Sequence, residues 1–226
     1  MRRGNWIQVA GLTAGVACLI AVAAVRAQEP KPAEAAPALI PADHFEATSW
    51  REISTAFATR PEAWADFTEK RYFPFKENPA VLRGEVRVSR ARGLSLAYQA
   101  PDERIVIVDA AGLAIREKGR TTTPPADERS AAINRALMHV LRFDLDALAT
   151  EFELSGKPAG ATWVLTLVPR NEKVAQAFRR IVVEGEAGAV RRIELRRSQR
   201  QYIEITMSHE RPAVSFTVEE LARFFR

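Results

Sequence analysis

The side chains best suited to chemistry in this 226-residue chain are three histidines, one cysteine and a few carboxylates, and their spacing argues against catalysis. His44, His139 and His209 lie far apart in unrelated contexts. His139 falls in an apolar helical pattern, which fits a packed or surface residue better than a base. Asp144 and Asp146 in "FDLDAL" could pair as acid and base, yet the same stretch reads as a helix start with an N-cap. There is no Gly-x-Ser-x-Gly elbow, phosphate loop, His-Glu-x-x-His motif or zinc spacing. The sequence therefore predicts no catalytic residue, no metal site and no cofactor. An enzyme is not expected.

One residue is conspicuous by position. In "VRVSRARG" the two-residue period of a strand puts Val86 and Val88 on one face and brings Arg90 to that same face. Arg87 and Ser89 form the other face, which reads as solvated. An arginine in line with valines needs an explanation, and it depends on what that face encloses. "RRIELRRSQR", Arg191 to Arg200, is a second cationic stretch. Ile193 and Leu195 alternate with its charges as in an ordinary half-exposed strand, although such a strand could also meet anionic lipid or a partner.

The N-terminus carries the features of an export signal. "MRRGNW" is a basic start, Ile7 to Val25 is an apolar run of 19 residues, and Val25 and Ala27 suit the −3 and −1 positions of a cleavage site. Residues 1–27 are thus expected to be a cleaved signal peptide, with an uncleaved anchor as the alternative. Cys18 as a lipoprotein cysteine fits less well, because Gly15 stands where such a site wants leucine. Cleavage removes the single cysteine together with Arg2, Arg3 and Arg26, so 33 basic residues become 30 against 28 acidic ones. A balance near +2 leaves no strong footprint for nucleic acid. Residues 28–46 read as a Pro/Ala-rich flexible linker, and 47–226 as one domain.

Within that domain the period changes twice. A helix is expected over Ser49 to Arg60, then about five strands: Trp64–Phe75, Leu82–Arg90, Gly93–Ala100, Arg104–Asp109 and Leu113–Lys118. "PADERSAAINRALMHVLRF" switches to helical spacing, started by Asp127 or Ser130, and "DLDALAT" reads as a possible continuation. About five more strands and a short C-terminal helix follow. This order predicts an α+β fold: one large antiparallel sheet of about ten strands curled into a half-barrel with a mouth, the helices being its natural lid. One face is apolar through Leu94, Leu96 and Tyr98, through Ile105 and Ile107, and through Trp163 and Leu165. Leu137 and Leu141 supply the facing side of the lid helix. Periodicity alone fits both a packed core and a lipid cavity.

"GEVRVSRARGLSLAYQAPDERIVIVDAAGLAI", Gly84 to Ile115, resembles the periplasmic outer-membrane lipoprotein carrier family of the LolA type. Gly84, Arg90, Pro101, Ile105, Asp109 and Leu113 fall on the family's positions without a gap. "FTEKR" resembles its first strand, "WVLTLVPR" its Pro-Lys-ending strand, and "IVVEGEAGAVRRIEL" the strand pair that follows. The likeness spans about Ser49 to Ser215. Ala91 replaces the usual proline, Ala110 and Ala111 replace the turn glycine, and Leu96 stands in place of the expected tryptophan.

The resemblance implies an unclosed antiparallel β-barrel, a strongly curved sheet of about ten to eleven strands with a helical lid over an apolar cavity, and a monomeric periplasmic carrier. It would bind the acyl chains of a lipoprotein or lipid and pass them from an inner-membrane transporter to an outer-membrane acceptor. The cavity lining would be Val86, Val88, Leu94, Leu96, Tyr98, Ile105, Ile107, Leu137, Leu141, Trp163 and Leu165. Arg90 would be a latch donating to lid carbonyls when the cavity is empty. The reduced aromatic content fits a glycolipid or polyene-type lipid at least as well as a lipoprotein. A periplasmic sensing or regulatory module of similar fold is the alternative, although that reading expects a second domain after the barrel.

Overall fold

Stretches of alternating polarity become strands here, and the way they are connected decides what covers them. The computed structural model describes residues 48–60, 62–125, 127–212 and 214–226, so the assignments of 1–27 and 28–46, with His44 and Cys18, lie outside the described residues. Helix α1 (Thr48–Ala58) precedes β1 (Glu62–Tyr72), β2 (Ala80–Ser89), β3 (Gly93–Tyr98), β4 (Arg104–Asp109), β5 (Gly112–Glu117) and β6 (Arg120–Thr122). Helices α2 (Glu128–Arg142) and α3 (Leu145–Glu151) come next, then β7 (Phe152–Ala159) and β8 (Thr162–Pro169). The short α4 (Glu172–Ala175), β9 (Arg180–Glu186), β10 (Ala189–Arg196), β11 (Tyr202–Pro212) and α5 (Val218–Phe224) complete the chain.

Among the described residues eleven strands form one antiparallel sheet, ordered β6-β5-β4-β3-β2-β1-β11-β10-β9-β8-β7. The first and last strands pair at its centre, while the edges β6 and β7 do not pair with each other. This is the unclosed α+β barrel that the pattern predicts. The chain leaves the sheet at one edge and re-enters at the other, so α2 and α3 must make the crossing between them. That connection makes α2 a lid by topology.

Local chemistry fixes the crossing helices. Asp127, not Ser130, is the N-cap of α2, and its carboxylate accepts from the Ser130 backbone N–H at 2.7 Å. Phe143 adopts a left-handed conformation (φ 53°) that ends α2, and Asp144 then caps α3. "DLDALAT" is therefore a separate helix rather than an extension. β6 and α4, three and four residues long, are too short to leave a readable period.

The concave face holds two apolar clusters. Trp50, Ile53 and Phe57 of α1 pack with Ala136 and Val140 of α2 and its cap residue Phe143 onto Trp163, Leu165 and Val183. Phe67, Val86, Leu94, Val106 and Val108 form the second cluster with Met138, Leu137 and Leu141 on the other side of α2. Two aromatic rings lie flat across glycines. A Cβ on Gly84 would meet the Ala97 carbonyl oxygen at 2.2 Å and the Phe67 ring at 2.8 Å, and one on Gly185 would meet the Trp163 ring at 2.0 Å. Trp163 is only 1 % exposed, and its indole N–H donates to the Ala187 carbonyl, so it has no room to yield.

The convex face departs from expectation. Arg87 and Ser89, read as solvated, are each 4 % exposed, and α5 folds back over Arg87. The Arg87 guanidinium lies between Phe224 (3.6 Å) and Trp64 (4.3 Å) and donates to Glu85 at 2.9 Å. Arg226 clasps Asp109 through both carboxylate oxygens, and Arg116 donates to carbonyls at the end of α5. A short helix about 130 positions away in sequence hides an arginine that alternation places in water.

On the other half of the convex face, Arg192 bonds Glu184, Glu194 and Glu204, and Arg196 bonds Glu194. Burial alone would raise the Glu194 pKa, but its hydrogen bonds and charge contacts with Arg196 and Arg192 outweigh burial and hold the carboxyl below the ordinary range. The basic stretch from Arg191 is thus internally compensated. The glycine–ring contacts give a direct test of the packing. Gly185→Ala is expected to lower stability by about 1–3 kcal/mol through overpacking, read as a drop in the urea midpoint.

Candidate functional site

The site is built by two strands and one helix. The alternating residues of β2 and β3 pair as Val86↔Leu96, Val88↔Leu94 and Gly84↔Tyr98, which puts all their apolar side chains on the concave side. Leu137 and Leu141 of α2 face them, one helical turn apart. Val86, Leu94 and Tyr98 are buried, whereas Val88, Leu96, Leu137 and Leu141 are half-buried. These seven residues belong to one cluster.

Arg90 follows the last residue of β2 at the rim of that cluster. Its Nη1 donates to the Arg142 carbonyl at 3.3 Å. Arg142 is the last residue of α2, so the guanidinium sits at the negative end of the helix dipole, where a cation is favoured. The contact ties the end of a barrel strand to the end of the crossing helix.

The other four residues expected in the lining fall elsewhere. Trp163 and Leu165 are in the neighbouring concave cluster, filled by α1. Ile105 packs on the convex side with Phe216, Phe224 and Phe225. Ile107 shares that face by alternation and is fully buried between its partners Ser95 and Ala114. The physical reason is that β4 is apolar at four consecutive positions and is covered on both sides, so alternation cannot assign its faces. Val106 and Val108 are the concave pair.

A polar cluster missed by the sequence reading lies on the same face, toward the far end of the sheet. Phe67, Gly84, Tyr98 and Arg104 form one row across β1 to β4. Glu69, 3 % exposed, accepts from the Tyr98 hydroxyl and from Arg71 Nε, each at 2.5 Å. Arg104 lies over the Tyr98 ring at 4.8 Å. The signal was legible: along β1 the face that carries Ala65 and Phe67 continues with Glu69 and Arg71, the same anomaly that marks Arg90.

The two histidines within the described residues have local partners. His209 Nδ1 is 3.0 Å from Asp66, and His139 Nδ1 is 3.4 Å from Asp144, which also caps α3. Among the described residues no group of three or more His, Cys, Asp or Glu side chains converges to hold a metal, and no helix is long and apolar enough to cross a membrane.

Burial, and then the charge of Glu69, push the Tyr98 phenol far above its ordinary value. In the unfolded chain it ionises near pH 10. Above that pH the unfolded chain has lost a proton that the folded chain keeps, so stability falls as pH rises. A phenolate titration is expected to show that Tyr98 stays protonated until the alkaline transition, and Tyr98→Phe is expected to remove that part of the absorbance step.

Comparison with known proteins places these features. Residues 47–210 match the family described as outer membrane lipoprotein carrier protein LolA-like. No curated protein matches the sequence. A LolA superfamily protein of Nitrosomonas europaea aligns over 79 % of this chain and 96 % of its own, at 7 % identity and a TM-score of 0.43. An outer membrane lipoprotein-sorting protein domain from Vibrio parahaemolyticus aligns over 77 % and 95 %, at 7 % identity and 0.41. The MucA/MucB complex of Pseudomonas aeruginosa aligns over 76 % of this chain and 59 % of the matched chain, at 16 % identity and 0.42.

Proposed function

The chain belongs to the LolA-like family of outer membrane lipoprotein carrier proteins, and from that premise we propose that it is a periplasmic carrier for the acyl chains of a lipoprotein or lipid. The observation that carries the reading is the bond from Arg90 to the Arg142 carbonyl, which holds α2 down over an apolar concave face. The side chains of α2 pack into both apolar clusters. Entry of an acyl chain requires α2 to lift, and lifting breaks the Arg90 bond.

Magnitudes explain why a carrier benefits from such a latch. Burying an acyl chain gains ~0.8 kcal/mol per CH₂, so a sixteen-carbon chain gains on the order of 12 kcal/mol. That corresponds to roughly nanomolar binding, which is slow to release. Loading gives up the packing of Leu137 and Leu141 and a charge-assisted hydrogen bond of about 1.5–3 kcal/mol, which lowers affinity toward a range that permits transfer. The donor would be an inner-membrane transporter and the acceptor an outer-membrane protein, with residues 1–27 directing export.

The test is organic extraction and mass spectrometry of the protein recovered without detergent from the cell envelope, beside Arg90→Leu. Lipid on both is expected, and the variant should bind a fluorescent fatty acid on the order of tenfold tighter while delivering it more slowly to acceptor vesicles. A protein that carries no lipid and takes up no fatty acid would overturn the reading. Lipid held by both forms without transfer would instead fit a sensing module.

A further inference from the structure

We propose that Arg71 and Arg104 form a headgroup site for an acidic amphiphile, with its acyl chain lying along the concave face. The inference rests on the carrier reading and adds the class of cargo. The concave side changes character along its length. From Gly84, beside Tyr98, to Arg90 is about 20 Å of strand, close to the reach of an extended long acyl chain. Arg90 sits at one end of that path, and the Glu69, Arg71, Tyr98 and Arg104 cluster sits at the other.

The cluster carries more positive charge than its own structure uses. One carboxylate, Glu69, faces two guanidiniums, and its two oxygens are taken by Arg71 Nε and the Tyr98 hydroxyl. Arg104 makes no ion pair among the described residues, and its Nε is buried without a hydrogen-bond partner. Glu117, at the end of the neighbouring strand β5, is exposed and forms no ion pair with it. A buried guanidinium N–H without an acceptor is costly, and a bound carboxylate or phosphate oxygen would satisfy it.

The apolar neighbours suit a chain attached to that headgroup. Ile203 and Ile205 lie on the central strand β11, and Leu82 and Leu96 on β2 and β3, yet all four are only half-buried. Ile203 is registered opposite Arg71, and Leu82 and Ile205 opposite Glu69. Central-strand apolar residues left accessible beside a surplus cation describe an amphiphile with one anionic group. A neutral lipid would leave the Arg104 N–H unsatisfied.

Binding of a fluorescent long-chain fatty acid and its methyl ester is compared for the whole protein, with labelled phosphatidic acid and diacylglycerol as a second acid–neutral pair. The acid of at least one pair is expected to bind about tenfold tighter than its neutral counterpart, and which pair discriminates identifies the source as a carboxylate or a phosphate. Arg104→Gln should reduce that ratio to about twofold, with neutral binding unchanged, while Arg104→Lys should keep most of the preference. Equal binding of acid and neutral probes to the wild-type protein, or an unchanged ratio in Arg104→Gln, overturns the headgroup site and leaves the carrier reading intact. Failure of all four probes to bind overturns both.

Discussion

The rest of the structure depends on the packing of α2 against the concave face of the sheet. The helix and its cap residue Phe143 contribute Ala132, Ala136, Val140 and Phe143 to one apolar cluster, and the helix contributes Leu137, Met138 and Leu141 to the other. An open sheet of eleven strands has two edges, and α2 lies on the chain that links them. It is therefore both the connection that holds the two arms of the sheet together and the cover over what they enclose. Arg90 donates to that element at its C-terminal carbonyl.

Coverage of the concave face is uneven. On the β7–β10 half, α1 and the end of α2 fill the face with aromatic rings in contact, Phe57 stacked on Phe143 at 4.7 Å and Phe143 edge-on to Trp163 at 5.1 Å. Near the centre the cover thins, leaving Ile203, Ile205 and Met207 half-buried on a strand with neighbours on both sides. The convex side is closed separately by α5 and by a compensated ladder of arginines and glutamates.

Much of this was legible in the sequence, for reasons that also mark the limits. Strict alternation in β2, β3 and β8 set their faces correctly, and the change to helical spacing after Thr122 located the crossing element. β4 was not legible in the same way, because four apolar residues in a row carry no phase, and Ile105 and Ile107 were assigned to the wrong side. Arg87 was misread because what buries it comes from the far end of the chain, which no local period records. Glu69 and Arg71 could have been found by the argument that found Arg90, since all three are charges in line with apolar residues. Whether a face is filled or hollow depends on side-chain volumes contributed by several elements, and periodicity does not measure volume.

The central claim is that α2 is a lid displaced by an acyl chain. Hydrogen exchange of the amides of α2, with and without a saturating long-chain fatty acid, tests it most directly. The account predicts that lipid lowers protection in α2, most strongly in its last turn near Arg142, while β2 and β3 keep theirs. Lipid bound at stoichiometric levels with α2 protection unchanged would contradict it.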